Sequence, residues 1–173
     1  ETMPDDVIYA SEVTLHSGTV RQHVPWTRPQ SYYCARGGLG QGLGLALGLK
    51  LGAPQRPVVA LMGDGGFLYN PVIQALGASR DHELPIMAIV FNNQKYSAMQ
   101  SGYKRGYPDG IALSENNLRG VHINGPDYGD LAGLFDGFGE RVEDPEALPG
   151  ALERGLAATR DGKLAVLNVV LAH

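Results

Sequence analysis

Two uninterrupted apolar runs, each stopped by a turn of small polar residues, constrain this chain more than any other feature. Pro57 to Leu61 leads into Gly63-Asp64-Gly65-Gly66, and Leu84 to Phe91 leads into Asn92-Asn93. A strand with one wet face alternates apolar and polar residues, whereas a run that is apolar throughout is covered on both faces. Between the two runs, Val72 to Ser79 has a helical pattern, with Pro71 near its first turn. Leu164 to Leu171, apolar apart from Asn168, reads as the final buried strand, and Val7 to Ala10 is a shorter apolar run. Buried strands alternating with helices predict an α/β fold: a parallel β-sheet with helices on both faces.

The remaining elements are read by the same rules. Asp144-Pro145-Glu146 places a capping acid, a proline and a second acid where a helix starts, and that helix is predicted to reach about Thr159. Asp127 to Phe135 is also read as helical. Gly37 to Leu51 is read as one helix, with Gly40, Gly44 and Gly48 on one face and Leu39, Leu43 and Leu47 beside them. Ser11 to Ser17 reads as a polar loop, Val20 to Tyr33 as irregular chain, and Tyr96 to Gly125 as a short helix followed by a loop. No repeat or linker divides the chain, so residues 1–173 are read as a single domain.

Composition narrows the partners. Net charge is −4 and the basic residues are scattered, which argues against nucleic acid. No apolar run is long enough to cross a bilayer, and no basic-then-apolar leader is visible, so no membrane partner is expected. The single cysteine, Cys34, excludes an internal disulfide framework and is expected to be buried; the expected compartment is the cytoplasm.

Asp64 and Asn93 close the two apolar runs, 93 − 64 = 29 positions apart. In an open parallel sheet, ligands bind beyond the carboxyl ends of the strands. Glycines around Asp64 let backbone amides approach an anion. Mg²⁺ takes oxygen ligands and shares them with phosphates, so a carboxylate and an amide oxygen beside a glycine turn suggest a metal–diphosphate site. A nucleotide-binding Rossmann domain is the main rival. Its G-x-G-x-x-G is missing from the glycine block, where Leu43 and Leu47 occupy the positions that need the third glycine.

Gly63-Asp64-Gly65, then a helix, Leu84-Pro85, an apolar strand and Asn92-Asn93-Gln94-Lys95-Tyr96 resembles the GDG…NN signature of thiamine diphosphate (ThDP) enzymes. The stretch from Ser31 to Gly40 is most similar to benzoylformate decarboxylase and its relatives, with acetolactate synthase and pyruvate decarboxylase as more distant cousins. The resemblance runs from about Val7 to Val170 and implies the C-terminal, diphosphate-binding third of a typical member. It implies Mg²⁺ held by Asp64, Asn93 and the Lys95 carbonyl, with Gly63, Gly65, Gly66, Thr14 and Tyr96 on the diphosphate side. It also implies that Leu39 props the bent cofactor and that the Gly37 carbonyl receives its amino group. Gly66 replaces a serine common after GDG, and the Asp64–Asn93 gap is slightly longer than usual.

The same resemblance implies a 2-keto acid substrate and a decarboxylase or carboligase reaction, that is, a lyase or a transferase. His16 and Met99 are the candidate substrate contacts, while Lys104 and Arg105 are expected to be solvated. The family's activating glutamate comes from a separate pyrimidine-binding domain. Glu12, Glu83, Glu115, Glu140, Glu143, Glu146 and Glu153 do not match that role. The expectation is therefore half of an active site, completed by a partner domain or subunit in a homo- or hetero-oligomer. A non-catalytic or regulatory subunit that kept the fold is the alternative.

Overall fold

A computed structural model describes residues 2–35 and 38–171, which leaves Gly37 outside the described residues. Six parallel strands form one sheet in the order β2-β1-β3-β4-β6-β5. The centre is built from the runs that the sequence marked: β1 (Ile8–Glu12), β3 (Val58–Gly63), β4 (Met87–Asn92) and β6 (Ala165–Val170). Nearly every residue of these strands is buried, because helices cover both faces.

One face packs α2 (Gly42–Gly52), α4 (Val72–Asp81) and α7 (Asp130–Gly133) through Leu43, Ala46, Leu76 and Ala132 onto Ala60, Ala88 and Val166. The other packs α1 (Ser17–His23) and α8 (Leu148–Arg160) through Val20, Ala151 and Leu156 onto Val59, Met87 and Leu167. The capping acid read at Asp144 accepts a bond from the Glu146 amide at 3.0 Å, but a 3-10 turn over Pro145–Ala147 precedes α8. Each strand-to-strand crossover is parallel, as the covered strands require.

The structure corrects several sequence expectations. Val20 to Tyr33 is not irregular throughout, since α1 and the three-residue edge strand β2 (Tyr32–Cys34) occupy its ends. Cys34 is exposed rather than buried, because it closes that short edge strand. The glycine block turns helical only at Gly42, so Gly40 precedes α2 with φ +93°, and Gly44 and Gly48 are exposed instead of pressing on a neighbour. Gly63-Asp64-Gly65 opens a helix directly, α3 (Asp64–Tyr69). The stretch after β4 holds two helices, α5 (Ser97–Gly106) and α6 (Ile111–Ser114), and a second edge strand, β5 (Phe138–Val142), follows α7. Among the described residues, no helix is long and apolar enough to cross a membrane.

Strand order places the functional end. From β1 the chain moves outward to β2, and then α2 carries it back across to β3. The direction of winding therefore reverses between β1 and β3, and ligands bind at such a reversal in open α/β sheets.

Candidate cofactor and metal site

A hollow of about 230 Å³ lies at the carboxyl ends of β1, β3 and β4. Most of its wall comes from the three segments that leave those strands, Glu12 to His16, Gly63 to Gly65, and Phe91 and Asn93 with Lys95 to Met99, and Leu39 and Tyr69 complete it. Gly63 pairs with Phe91 across β3 and β4, so the two polar turns leave neighbouring strand tips.

Asp64 is the first residue of α3 and only 3 % exposed. Its Oδ1 accepts a bond from the Gly65 amide at 2.8 Å, while its Oδ2 is buried with no hydrogen-bond partner. Loss of water pushes the carboxyl above its ordinary value, against the opposing pull of the Gly65, Gln94 and Lys95 amides. The second turn therefore sits close enough to act on the first. A desolvated carboxylate oxygen with no donor is a group that a cation would satisfy.

The turn after β4 is fixed by two successive side-chain locks. Asn92 Oδ1 accepts from the Gln94 amide at 3.1 Å, and Asn93 Oδ1 accepts from the Lys95 amide at 3.0 Å. Gln94 takes φ +56°, a left-handed conformation that a non-glycine residue adopts only when its surroundings enforce it. The Gln94 carbonyl accepts from Ile123 at 2.9 Å and the Tyr96 amide donates to Val121 at 2.8 Å, which pins the segment on both sides of Lys95. Behind it, Asn92 donates to the fully buried Asn168 at 3.0 Å, and Asn168 donates to Asp127 at 2.9 Å.

Tyr96 leans its ring on Gly65: a Cβ there would lie 2.6 Å from the Tyr96 Cε1 atom. Only glycine leaves space for this contact, and the ring edge also meets Tyr69 at 6.3 Å. Burial, then Tyr69 and Asp64, raise the Tyr96 hydroxyl above the usual phenol value. Tyr128 stands deeper, its ring edge-on to Phe67 at 5.4 Å and its hydroxyl buried without a partner. Burial, then Asp64 and Tyr96, push that hydroxyl up to about 12.

The structure brings together most of the residues marked in the sequence. Thr14, His16, Leu39, Gly63, Asp64, Gly65, Asn93, Lys95, Tyr96 and Met99 all line the hollow. Leu39 is 45 % exposed and Met99 58 %, so both present apolar surface at its mouth. Gly66 lies buried behind the wall, its carbonyl accepting from Asn70 Nδ2 at 2.8 Å. Lys104 and Arg105 are exposed at the end of α5, away from the lining.

Glu12 is the lining residue whose part in this site the sequence reading missed. It is buried at the tip of β1 and accepts from the Gly40, Gln41 and Gly42 amides and from Asn70 Nδ2. The signal was its position: it closes a strand as Asp64 and Asn93 follow theirs.

The donor set is one carboxylate, one amide oxygen and backbone carbonyls, a hard oxygen environment of the kind Mg²⁺ accepts. Among the described residues no three His, Cys, Asp or Glu side chains cluster as a metal cage. Such a site suits a cation that shares its shell with a phosphate-bearing ligand, on an α/β sheet that binds at its switch point.

That class has a family. Residues 12–169 match the model of the thiamine pyrophosphate enzyme, C-terminal TPP binding domain, and the chain belongs to that family. It is 32 % identical to benzoylformate decarboxylase of Pseudomonas aeruginosa over 158 residues, covering 91 % of this chain and 28 % of that one. It is 27 % identical to the acetolactate synthase isozyme 2 large subunit of Escherichia coli over 152 residues, covering 87 % and 26 %. Among solved structures, the ThDP-dependent 4-hydroxybenzoylformate decarboxylase of Rhodococcus jostii superposes with a TM-score of 0.77 at 31 % identity, over 97 % of this chain and 29 % of that one. The chain thus spans less than a third of the length of these relatives, and the Rossmann alternative is set aside.

Proposed function

We propose that this chain holds ThDP through Mg²⁺ and supplies the diphosphate-binding half of the active site of a 2-keto acid decarboxylase or carboligase. The observation that carries the proposal is the buried Asp64 Oδ2, which has no hydrogen-bond donor and sits beside the turn that carries Asn93. In this reading Asp64, Asn93 and the Lys95 carbonyl hold the metal. The first turn of α3, which carries Gly65 and Gly66 and whose amides lack acceptors in the helix ladder, binds the diphosphate in this reading together with Thr14. A backbone amide at Gly66 stands in for the serine hydroxyl that relatives of this type carry.

Tyr96 shields the metal end from water and offers its hydroxyl to a phosphate oxygen; its raised pKa keeps it a neutral donor. Leu39 supplies apolar support to the rings, and Gly37 accepts from the amino group. When bound, ThDP supplies the nucleophilic carbon and the electron sink for cleavage or joining at a 2-keto carbonyl. This chain orients it and excludes water from its charged end. His16 and Met99 at the mouth contact the substrate.

The hollow, about 230 Å³, is smaller than the roughly 300–1,000 Å³ of a site that encloses a drug-sized ligand. That supports a second wall from a pyrimidine-binding domain or subunit, which also brings the activating glutamate, and hence an oligomer that is inactive without it. Calorimetry with ThDP and Mg²⁺ tests the reading: Asp64→Ala should abolish metal-dependent binding. If this variant binds as wild type does, the site assignment is wrong. A screen of aromatic and aliphatic 2-keto acids on the assembled enzyme then separates decarboxylation from carboligation and from a non-catalytic role.

A further inference from the structure

We infer that Glu12 is a positioning residue: its carboxylate fixes the glycine loop that carries Leu39 and so governs the ring end of the cofactor site rather than its metal end. The inference rests on the ThDP reading above. Glu12 Oε1 accepts from the Gly40 amide at 2.5 Å, and Oε2 accepts from Gln41 at 3.1 Å and Gly42 at 2.5 Å. Asn70 Nδ2 adds a bond to Oε2 at 3.1 Å.

These amides begin α2, which has no side-chain cap of its own at Gln41. The cap arrives instead from the tip of β1, 28 to 30 positions earlier in the chain. A carboxylate meets four donors and a helix N-terminus with acceptor lone pairs only. A glutamine of the same size would turn an NH₂ group toward one part of that donor set.

Asn70 extends the constraint. Its Oδ1 accepts from the Leu43 amide at 3.1 Å and its Nδ2 from the other side donates to the Gly66 carbonyl at 2.8 Å. Asn70 thus ties the loop before α2 to α3, and its bonds to Leu43 and Gly66 do not pass through Glu12. Space for the carboxylate exists because residue 42 has no side chain: a Cβ there would lie 2.6 Å from Glu12 Oε2 and 2.9 Å from the Met62 methyl. Leu39, directly before the first anchored amide, lines the hollow.

The test compares two probes in the protein at its natural length and assembly: inorganic pyrophosphate with Mg²⁺, and ThDP with Mg²⁺, both by calorimetry, with a thermal melt run on each variant. Glu12→Gln should weaken ThDP at least about tenfold while leaving pyrophosphate within about threefold of wild type. Glu12→Asp, which keeps the charge, should recover part of the ThDP loss and serves as the test variant if the glutamine protein does not fold. Equal weakening of both probes, or of neither, overturns the inference. Asp64→Asn in the same assay should weaken both probes; if it weakens neither, the ThDP reading itself fails and takes this inference with it.

Discussion

Replacing Asp64 by asparagine should move stability and binding in opposite directions. The substitution keeps side-chain volume and the Oδ1 acceptor for the Gly65 amide, and exchanges the charged, unpartnered Oδ2 for a neutral NH₂ group whose own desolvation takes back part of the gain. A buried acceptor without a donor costs about 1–3 kcal/mol, and more if charged. The helix N-terminus of α3 returns about 0.3–1 kcal/mol to a negative group. The upward pKa shift, caused first by desolvation, says that the cost outweighs the return. Neutralising the group should therefore stabilise the metal-free protein by about 1 kcal/mol, a rise of about 2–4 °C in melting temperature for a domain of this size. Mg²⁺-dependent ThDP binding should fall by on the order of 100-fold or more, since even a ligand's supporting contacts are worth 10–100-fold. The sign with pH is fixed as well. An acid whose folded pKa lies above its unfolded value contributes most stability below the unfolded value, and that contribution is lost as pH rises through the folded one. The melting gap between variant and wild type should thus be open at pH 7–8 and close in acid as Asp64 takes up its proton. Thermal melts in chelator across pH, beside calorimetry with Mg²⁺ and ThDP, measure both arms. A variant that melts lower than wild type at neutral pH refutes the buried-charge argument, and unaltered binding refutes the site.

Other outcomes follow from the same contacts. Mg²⁺-supported ThDP affinity of the wild-type protein should decline as pH falls through the raised Asp64 pKa, above the usual 3.8, and calorimetry in acidic buffers reads this. Gly65→Ala places a methyl 2.6 Å from the Tyr96 ring, so the ring must move; about 1–3 kcal/mol of stability and at least about tenfold in ThDP affinity should be lost, seen by melting and calorimetry. Tyr128→Phe removes a buried hydroxyl that has no partner and should stabilise by up to about 1 kcal/mol with ThDP affinity unchanged; a destabilised variant would reveal a partner for that hydroxyl. Asn168→Leu strands the buried Asn92 amide and removes one of the bonds to Asp127, and should cost about 2 kcal/mol in chemical denaturation.

What the sequence made legible divides along physical lines. β3, β4 and β6 were readable because burial on both faces makes nearly every position apolar, the buried Asn92 and Asn168 being the exceptions that pair with each other. β2 and β5 were not, because each lies at an edge: β2 is three residues long, and Phe138–Val142 alternates half-buried and exposed positions with Glu140 and Arg141 among them. α1 lacks a side-chain cap and carries Gly18, and α3 begins on glycines, so neither shows a helix start signal. The strand tips were legible as places and not as roles. Three oxygen-bearing side chains, Glu12, Asp64 and Asn93, stand at or just beyond the ends of three neighbouring strands, and the sequence pattern brought out only the last two. Their hydrogen bonds separate them. Glu12 is saturated by four donors, and Asn93 accepts one amide through an oxygen with a second lone pair to give. Asp64 keeps one buried oxygen with no donor at all. The donors that decide this come from residues as far as 58 positions away in the chain, so a local reading cannot count them. A cation seeks the oxygen that the fold has left unsatisfied. The same accounting that supports the proposed metal role of Asp64 supports a scaffold role for Glu12, which is why exchanging their charges one at a time should give two different binding defects.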